Sequence, residues 1–473
     1  MTTLMTRAEL RKKHKMHAEY GSVWKFNELA YKGGKNFINE VIDRNERESY
    51  FNATQRKNEA IDFNYTKEVV DLFNFYLTEK IPNRSLPGLE KNKQWALFVK
   101  NANMHGSDLN SFLNSSQKRS SICGTAGILV NKPISEFTTR EKELEHGIYP
   151  YCSMYTMPNI YDWKYGHNPH TGIPELVYLK LYEGENSYLL WWIDRWERWE
   201  INEESTTSDE CRKTGTGKYS LEKIPWIWLR NLEGDDLPYL GSSDINDIAM
   251  INASIVRNVS CGEEVIKWAA FPMYRKPMEA EGKETESKAG VTNVIETDPG
   301  LDPAFKPDWL ESAAKDPIEA ILAWIGRKIE ELHRTCHLSG VHGQRKNQEA
   351  SSGLALKYEF QQLVSILSKK SVNLDAAERH IVELWCLWQN ESPGEIEIKR
   401  SKNFSIDDMQ IDLENSLVAM QNVASKTFRI QVQSKMAKKE LPDITDDVRK
   451  TIVEEIVASD GILPDLPELK KAA

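Results

Sequence analysis

Residues 317–388 read PIEAILAWIGRKIEELHRTCH (317–337), LSGVHGQRKNQEASS (338–352) and GLALKYEFQQLVSILSKKSVNLDAAERHIVELWCLW (353–388). In the first piece Ile318, Leu322, Ile325, Ile329, Leu332 and Cys336 recur at steps of four and three, which puts them on one face of a helix. In the third, Leu356, Phe360, Leu363, Leu367, Leu374, Ala377, Ile381, Leu384 and Trp388 repeat the alternation, and only Lys370 breaks the stripe. Both helices need an apolar partner along their length. The connection carries Gly340, Gly343, His342, Arg345 and Lys346 against a single acid, Glu349. A cationic loop at the ends of rigid helices suits contact with a polyanion.

The chain around this segment has 473 residues, 40% of them hydrophobic, enough for a sizeable core in about three structural regions. A net charge of -10 and a pI near 5.7 exclude a protein whose whole surface coats nucleic acid, so any such contact is local. The six cysteines (Cys123, Cys152, Cys211, Cys261, Cys336, Cys386) lie far apart without a CxxC pair. That spacing points away from a disulfide framework or zinc ribbon and toward a reducing compartment. Residues 1–16 lack the apolar core of a signal peptide, and no apolar run is long enough to span a bilayer, so a soluble chain with no membrane partner is expected.

Along the chain, Arg7, Arg11, Lys12, Lys13 and Lys15 make a basic N-terminal arm that reads as a solvated helix or tail. From Tyr20 to about Leu113 the pattern is mostly helical, with stops at Pro82 and Pro87-Gly88. Between Gly124 and Pro238 short β-branched and aromatic runs, such as 176–182 and 188–193, predict a small antiparallel β region. Trp191, Trp192, Trp196 and Trp199 within it read as core or subunit seam in preference to a carbohydrate platform. Asp244 is the expected N-cap of a helix striped by Ile245, Ile248, Ile251, Ile255 and Val259, running to about Ala270. A polar, turn-rich excursion follows before the helix pair. After Trp388, Ser392-Pro393-Gly394 turns the chain into a strand at 395–398, and short helices are expected at 406–418, 426–436 and 446–457. The fold class is α+β, mainly helical.

Catalytic signatures fail at defined positions. In Gly215-Thr216-Gly217-Lys218-Tyr219 the first glycine of a phosphate loop is replaced by Arg212 and the magnesium-binding hydroxyl by Tyr219, so the segment reads as a hairpin turn. His333 and His337 are spaced to share a metal on one helix face, beside Cys336, yet no third ligand at suitable spacing is evident. Asp235-Asp236, Asp407-Asp408 and Asp446-Asp447 sit where caps and turns call for Asp anyway. No cofactor is expected. The expectation is a non-enzymatic protein, the alternative being a DNA-processing enzyme, a nuclease or ATPase subunit of a packaging apparatus.

Ser351-Ser352-Gly353-Leu354-Ala355-Leu356-Lys357 opening a long helix resembles the portal proteins of tailed bacteriophages. In order along the chain, 159–163 (NIYDW) is similar to that family's lead-in to the wing strands and 223–227 (KIPWI) to its strand before the stem. Residues 240–245 (LGSSDI) with Asp247 are similar to its start of the first stem helix, and 404–407 (FSID) to its return strand and crown. The likeness spans about 24–457. It implies a portal-type subunit with a helical stem, a small β-containing clip, an α/β wing and a short helical crown, assembled as a ring of twelve. The regions it implies are an arm (1–20), wing (21–240), first stem helix (241–270), clip (271–312), second stem helix (313–337), channel loop (338–352), long wing helix with return strand (353–404) and crown (405–473).

By the same resemblance the ring channels double-stranded DNA during packaging, retention and ejection at one capsid vertex of the virion, after assembly in the host cytoplasm. Leu338, Val341, His342, Gln344, Arg345 and Lys346 are its expected channel-loop contacts, and Arg327, Lys328 and Arg334 its stem lining. Glu279, Glu281, Lys283, Glu284, Glu286 and Lys288 are the expected clip docking residues. The implied partners are the terminase large subunit, the major capsid and scaffolding proteins, and head-completion and tail adaptor proteins.

Overall fold

Side-chain oxygens placed before apolar runs start most of the N-terminal helices. Ser49, Asn64, Asn92 and Asp108 each accept from a backbone N–H of the following first turn. The helices are α1 (Arg7–Arg11), α2 (Met16–Glu19), α3 (Gly21–Lys32), α4 (Gly34–Val41), α5 (Tyr50–Glu59), α6 (Tyr65–Thr78), α7 (Lys93–Lys100) and α8 (Leu109–Cys123), with a short strand β1 (Asn83–Ser85) before α7. This computed structural model describes residues 5–134, 137, 139–168, 172–202, 211–234, 239–269, 273–275, 308–310, 315–338, 353–402, 404, 420, 425–440 and 446–459.

Helix α8 ends at Gly124, whose φ of +82° favours glycine, and a Cβ there would lie 2.1 Å from the carbonyl oxygen of Gly241. The chain then enters β2 (Thr125–Asn131), which after α9 (Arg140–Glu145) is flanked by β3 (Tyr151–Thr156) and later by β9 (Trp226–Arg230), both antiparallel to it. Strand β2 is buried on both faces, as its run of Ala126, Ile128, Leu129 and Val130 requires.

Between β3 and β9 lies a five-stranded antiparallel meander of β4 (Ile160–His167), β5 (Pro174–Gly184), β6 (Ser187–Trp192), β7 (Arg195–Ile201) and β8 (Cys211–Lys218). Glu185 and Asn186, both at positive φ, form the two-residue turn joining β5 to β6. One face of the meander gives Leu179, Leu181, Leu189 and Trp191 to the main core. The other packs Tyr188, Leu190, Trp199, Ile201 and Cys211 around Leu10 of α1. The basic arm is therefore docked, not a solvated tail: once α1 forms, its buried leucine has an apolar sheet face to cover.

Trp191 and Trp199 are buried, so core is the right reading for them. The glycine-lysine segment is corrected: Gly215 and Gly217 lie within edge strand β8, not in a turn. Trp196 stands opposite Gly217 in the register, and a Cβ on Gly217 would come within 2.6 Å of its indole Nε1. The glycines make room for a ring lying across the strand.

The short ribbon β10 (Leu232–Glu233) with β11 (Gly241–Ser242) leads into α10 (Asn246–Ala269). Strands β12 (Met273–Arg275) and β13 (Asp308–Leu310) pair antiparallel ahead of α11 (Lys315–Thr335). Helix α12 (Gly353–Gln389) follows and returns through β14 (Glu397–Lys399) to pair with β1. Its stripe is buried where expected at Leu363, Leu367, Leu374, Ala377, Ile381 and Leu384. Its opposite flank is buried too, because Asp375 and Glu378 receive Arg400, and Glu378 also receives Arg84. Residues 405–473 form a separate unit in which α13 (Lys426–Glu440) and α14 (Asp446–Ala458) pack on each other. The helix expected at 406–418 lies outside the described residues.

Candidate functional site: the helix pair and its anchor

Helices α10 and α11 run antiparallel. A Cβ on Gly262 would touch Ile321 at 3.4 Å, and eight residues earlier Ser254 Oγ accepts from Lys328 Nζ at 2.6 Å, so positions pair in opposite directions. At about 1.5 Å rise per residue the two are about 36 and 32 Å long. Ile245, Ile248, Ile255, Leu332 and Cys336 bury one end of the pair in the main core. Toward the other end the apolar side chains emerge: Leu322 is 60% exposed and Trp324 54%, with Ile266 also exposed, while Met250 is exposed beside the buried end. The stripe expected for α11 is thus corrected at Leu322. Ile321, one residue earlier, faces α10 instead, because the approach at Gly262 selects that ridge.

The buried end is anchored by a polar knot. Lys370, with 0% exposure, donates to Asp244, also buried, and its ammonium stands 4.6 Å from the centre of the Phe73 ring. Burial pushes the Lys370 pKa down while the Asp244 carboxylate pulls it back up. Asp244 is therefore not the N-cap: Ser243 Oγ accepts from Ile245 N at 3.1 Å, and Asp244 also accepts from Asn231 Nδ2 at 2.8 Å. Asn231 in turn accepts from Gln117 Nε2 (3.0 Å) and Ser121 Oγ (3.1 Å), and its carbonyl accepts from Asn373 Nδ2 (3.2 Å). One network joins α8, the start of α10 and α12, and the break in the α12 stripe at Lys370 is its visible trace in the sequence.

Of the expected lining cations, Arg327 is exposed and Arg334 is exposed but paired with Glu331 at 2.7 Å. Lys328 is turned inward between Ser254 and the Trp324 ring, and burial followed by the nearby Arg257 lowers its pKa. Helix α11 ends with His337 at φ +57°, while Leu338 N donates to His333 O at 2.8 Å. Leu338 is buried in the main core, which corrects its assignment to an open loop surface: the left-handed turn at His337 directs the next side chain back onto the body. Val341, His342, Gln344, Arg345 and Lys346 lie outside the described residues, as do Glu279, Glu281, Lys283, Glu284, Glu286 and Lys288.

His333 packs edge-on to Tyr65, His337 Nδ1 lies 2.9 Å from Gln362 Oε1, and Cys336 is buried with its thiol pKa pushed up. Among the described residues no group of three His, Cys, Asp or Glu side chains is placed to hold a metal ion, and no helix is long and apolar enough to cross a membrane. Trp324 and Met250 escaped sequence reading because each stands off the stripe of its helix.

No family model and no curated protein matches this chain. Among solved structures it is similar to a chain in the neck of an empty gene transfer agent particle computed with C6 symmetry, at 10% identity and a TM-score of 0.44. It is likewise similar to a chain in the neck of the native particle computed with C12 symmetry, at 10% identity and a TM-score of 0.43. Each match covers 78% of this chain and 89% of the other.

Proposed function

We propose that this chain is a portal-type subunit, a structural rather than catalytic part of a phage-like virion. Copies stand side by side around an axis and form the channel through which double-stranded DNA enters and leaves the capsid. One observation carries the reading: Leu322, Trp324 and Ile266 are left in water toward one end of a helix pair whose other end is firmly buried. Burying a leucine-sized side chain contributes about 1.5–3 kcal/mol, so neighbouring copies packed against these side chains gain at every contact. Repeated contacts of this kind close a ring without leaving an exposed patch. The ordered likeness to portal sequences, from 159–163 to 404–407, supports the same reading.

In this arrangement residues 339–352 line the channel, with Arg345 and Lys346 touching phosphates weakly enough for DNA to slide. The clip, residues 271–312, meets the terminase large subunit and later the head-completion and tail adaptor proteins. The test is native mass spectrometry of the purified chain. A ring of many copies, twelve by the portal resemblance, is expected, and a strictly monomeric species under assembly conditions would overturn the proposal. DNA cleavage or nucleotide hydrolysis lost on Lys218→Ala would instead place the chain among DNA-processing enzymes.

A further inference from the structure

The N-terminal arm and the meander together build a positive surface on an otherwise acidic chain. Leu10 is buried against Tyr188, Leu190 and Trp199, and buried Lys180 donates to Glu9 O at 2.8 Å, which fixes α1 on the sheet. His14 N donates to Tyr161 O at 2.7 Å and its ring stacks on Trp163 with centroids 4.0 Å apart. The segment between α1 and α2 is thereby held rigid. Lys12, Lys13, Lys15 and, on α3, Lys25 are all exposed and form no ion pair among the described residues. Lys164 on β4 is exposed beside them, and Lys13 lies 4.4 Å from the centre of the Tyr161 ring. The cations also repel one another: after burial, Lys25 lowers the pKa of Lys13, and after burial and against the pull of Asp162, Lys12 and Lys164 lower that of Lys180. The carboxylates on these elements are Glu9, which closes the α1 capping box with Thr6, Asp162, which accepts from Trp163 N, Glu19 on α2 and Glu28 on α3.

We infer that this surface binds the phosphate backbone of double-stranded DNA without regard to sequence, as a contact separate from the helix pair. A preordered set of mutually repelling ammonium groups gains most from a ligand that brings a row of negative charges. Lysines act as point charges on phosphate, whereas an acidic protein partner is better met by arginine forks. An anionic membrane is disfavoured because, across residues 5–25, Val23 is the one exposed large apolar side chain among those described, too little for an interfacial wedge.

The test is fluorescence anisotropy of the full chain with a short mixed-sequence duplex over a range of salt. The variant carrying Lys12→Glu, Lys13→Glu, Lys15→Glu and Lys25→Glu is expected to lose affinity by about tenfold or more. Its log-affinity slope against log salt should be shallower by roughly 0.9 for each phosphate contact removed. The Arg345→Ala, Lys346→Ala variant is expected to keep most of the affinity, which separates this surface from the proposed channel loop whether or not rings form. Should charge reversal disturb the fold by circular dichroism, the same four positions as Gln give the decisive comparison. Absence of duplex binding by the unmodified chain, unchanged affinity in the substituted chains, or binding to phosphatidylserine vesicles in place of duplex would each overturn the inference.

Discussion

At its root the helix pair α10–α11 is held by a fully buried ion pair, a chain of amide and hydroxyl hydrogen bonds, and apolar packing in the main core. Toward its outer end α11 shows Leu322 and Trp324 and α10 shows Ile266 to solvent, and α5 braces α10 there through charges. Arg56 approaches Glu264 at 3.9 Å, and the exposed Lys267 pairs with Glu59 at 2.8 Å. An exposed pair such as Lys267–Glu59 contributes about 0–1 kcal/mol, whereas breaking a buried pair costs about 3–5. The root is specified by the single chain, and the outer end is specified by whatever lies beside it.

The sharpest way to break the root is Lys370→Ala, which leaves the Asp244 carboxylate buried without its cation and should destabilise the chain by about 3–5 kcal/mol in urea unfolding. Replacing both partners, Lys370→Met with Asp244→Leu, should recover most of that loss; no recovery would mean that the Asn231 network, not the ion pair, dominates. Next in size is Gly124→Ala. It forces a Cβ onto the Gly241 carbonyl at positive φ and should cost on the order of 3 kcal/mol, read as a lowered urea midpoint with unchanged slope.

A smaller, pH-dependent effect belongs to the outer brace. The hydrogen bonds from Arg56 hold the Glu48 carboxyl well below its ordinary 4.5, at about 2. Because the folded value is the lower one, its contribution is complete above pH 4.5 and is lost as pH falls toward 2. The stability difference between the unmodified chain and Glu48→Gln should therefore shrink across that window and stay constant above it. Least for the fold is Leu322→Ser with Trp324→Ser. Stability of the isolated chain should move within about 0.5 kcal/mol while native mass spectrometry shows assembly lost, and assembly retained would remove these residues from any subunit seam.

How far the sequence could be read follows the same division. The α12 stripe was legible because one chain buries it from Leu363 to Leu384, and Lys370 was legible as an interruption though not as half of an ion pair, since Asp244 lies far away in the chain. Trp324 was not legible, because periodicity finds the face that packs internally and says nothing of an apolar residue on the other side. Gly215 and Gly217 misled because glycine punctuates turns far more often than it makes room for an indole. Leu338 misled because the left-handed backbone at His337, unusual for histidine, has no local sequence signal.

The pairing of Met273 with Leu310 and Arg275 with Asp308 brings the chain out of α10 and back toward α11 at a single stapled neck. Arg275 and Asp308 are thereby held side by side, and doubling the number of residues that join two such ends costs only about 0.6 kcal/mol of closure entropy. Insertions or deletions between the paired strands should therefore cost the fold little, because the strand pair itself stays in register.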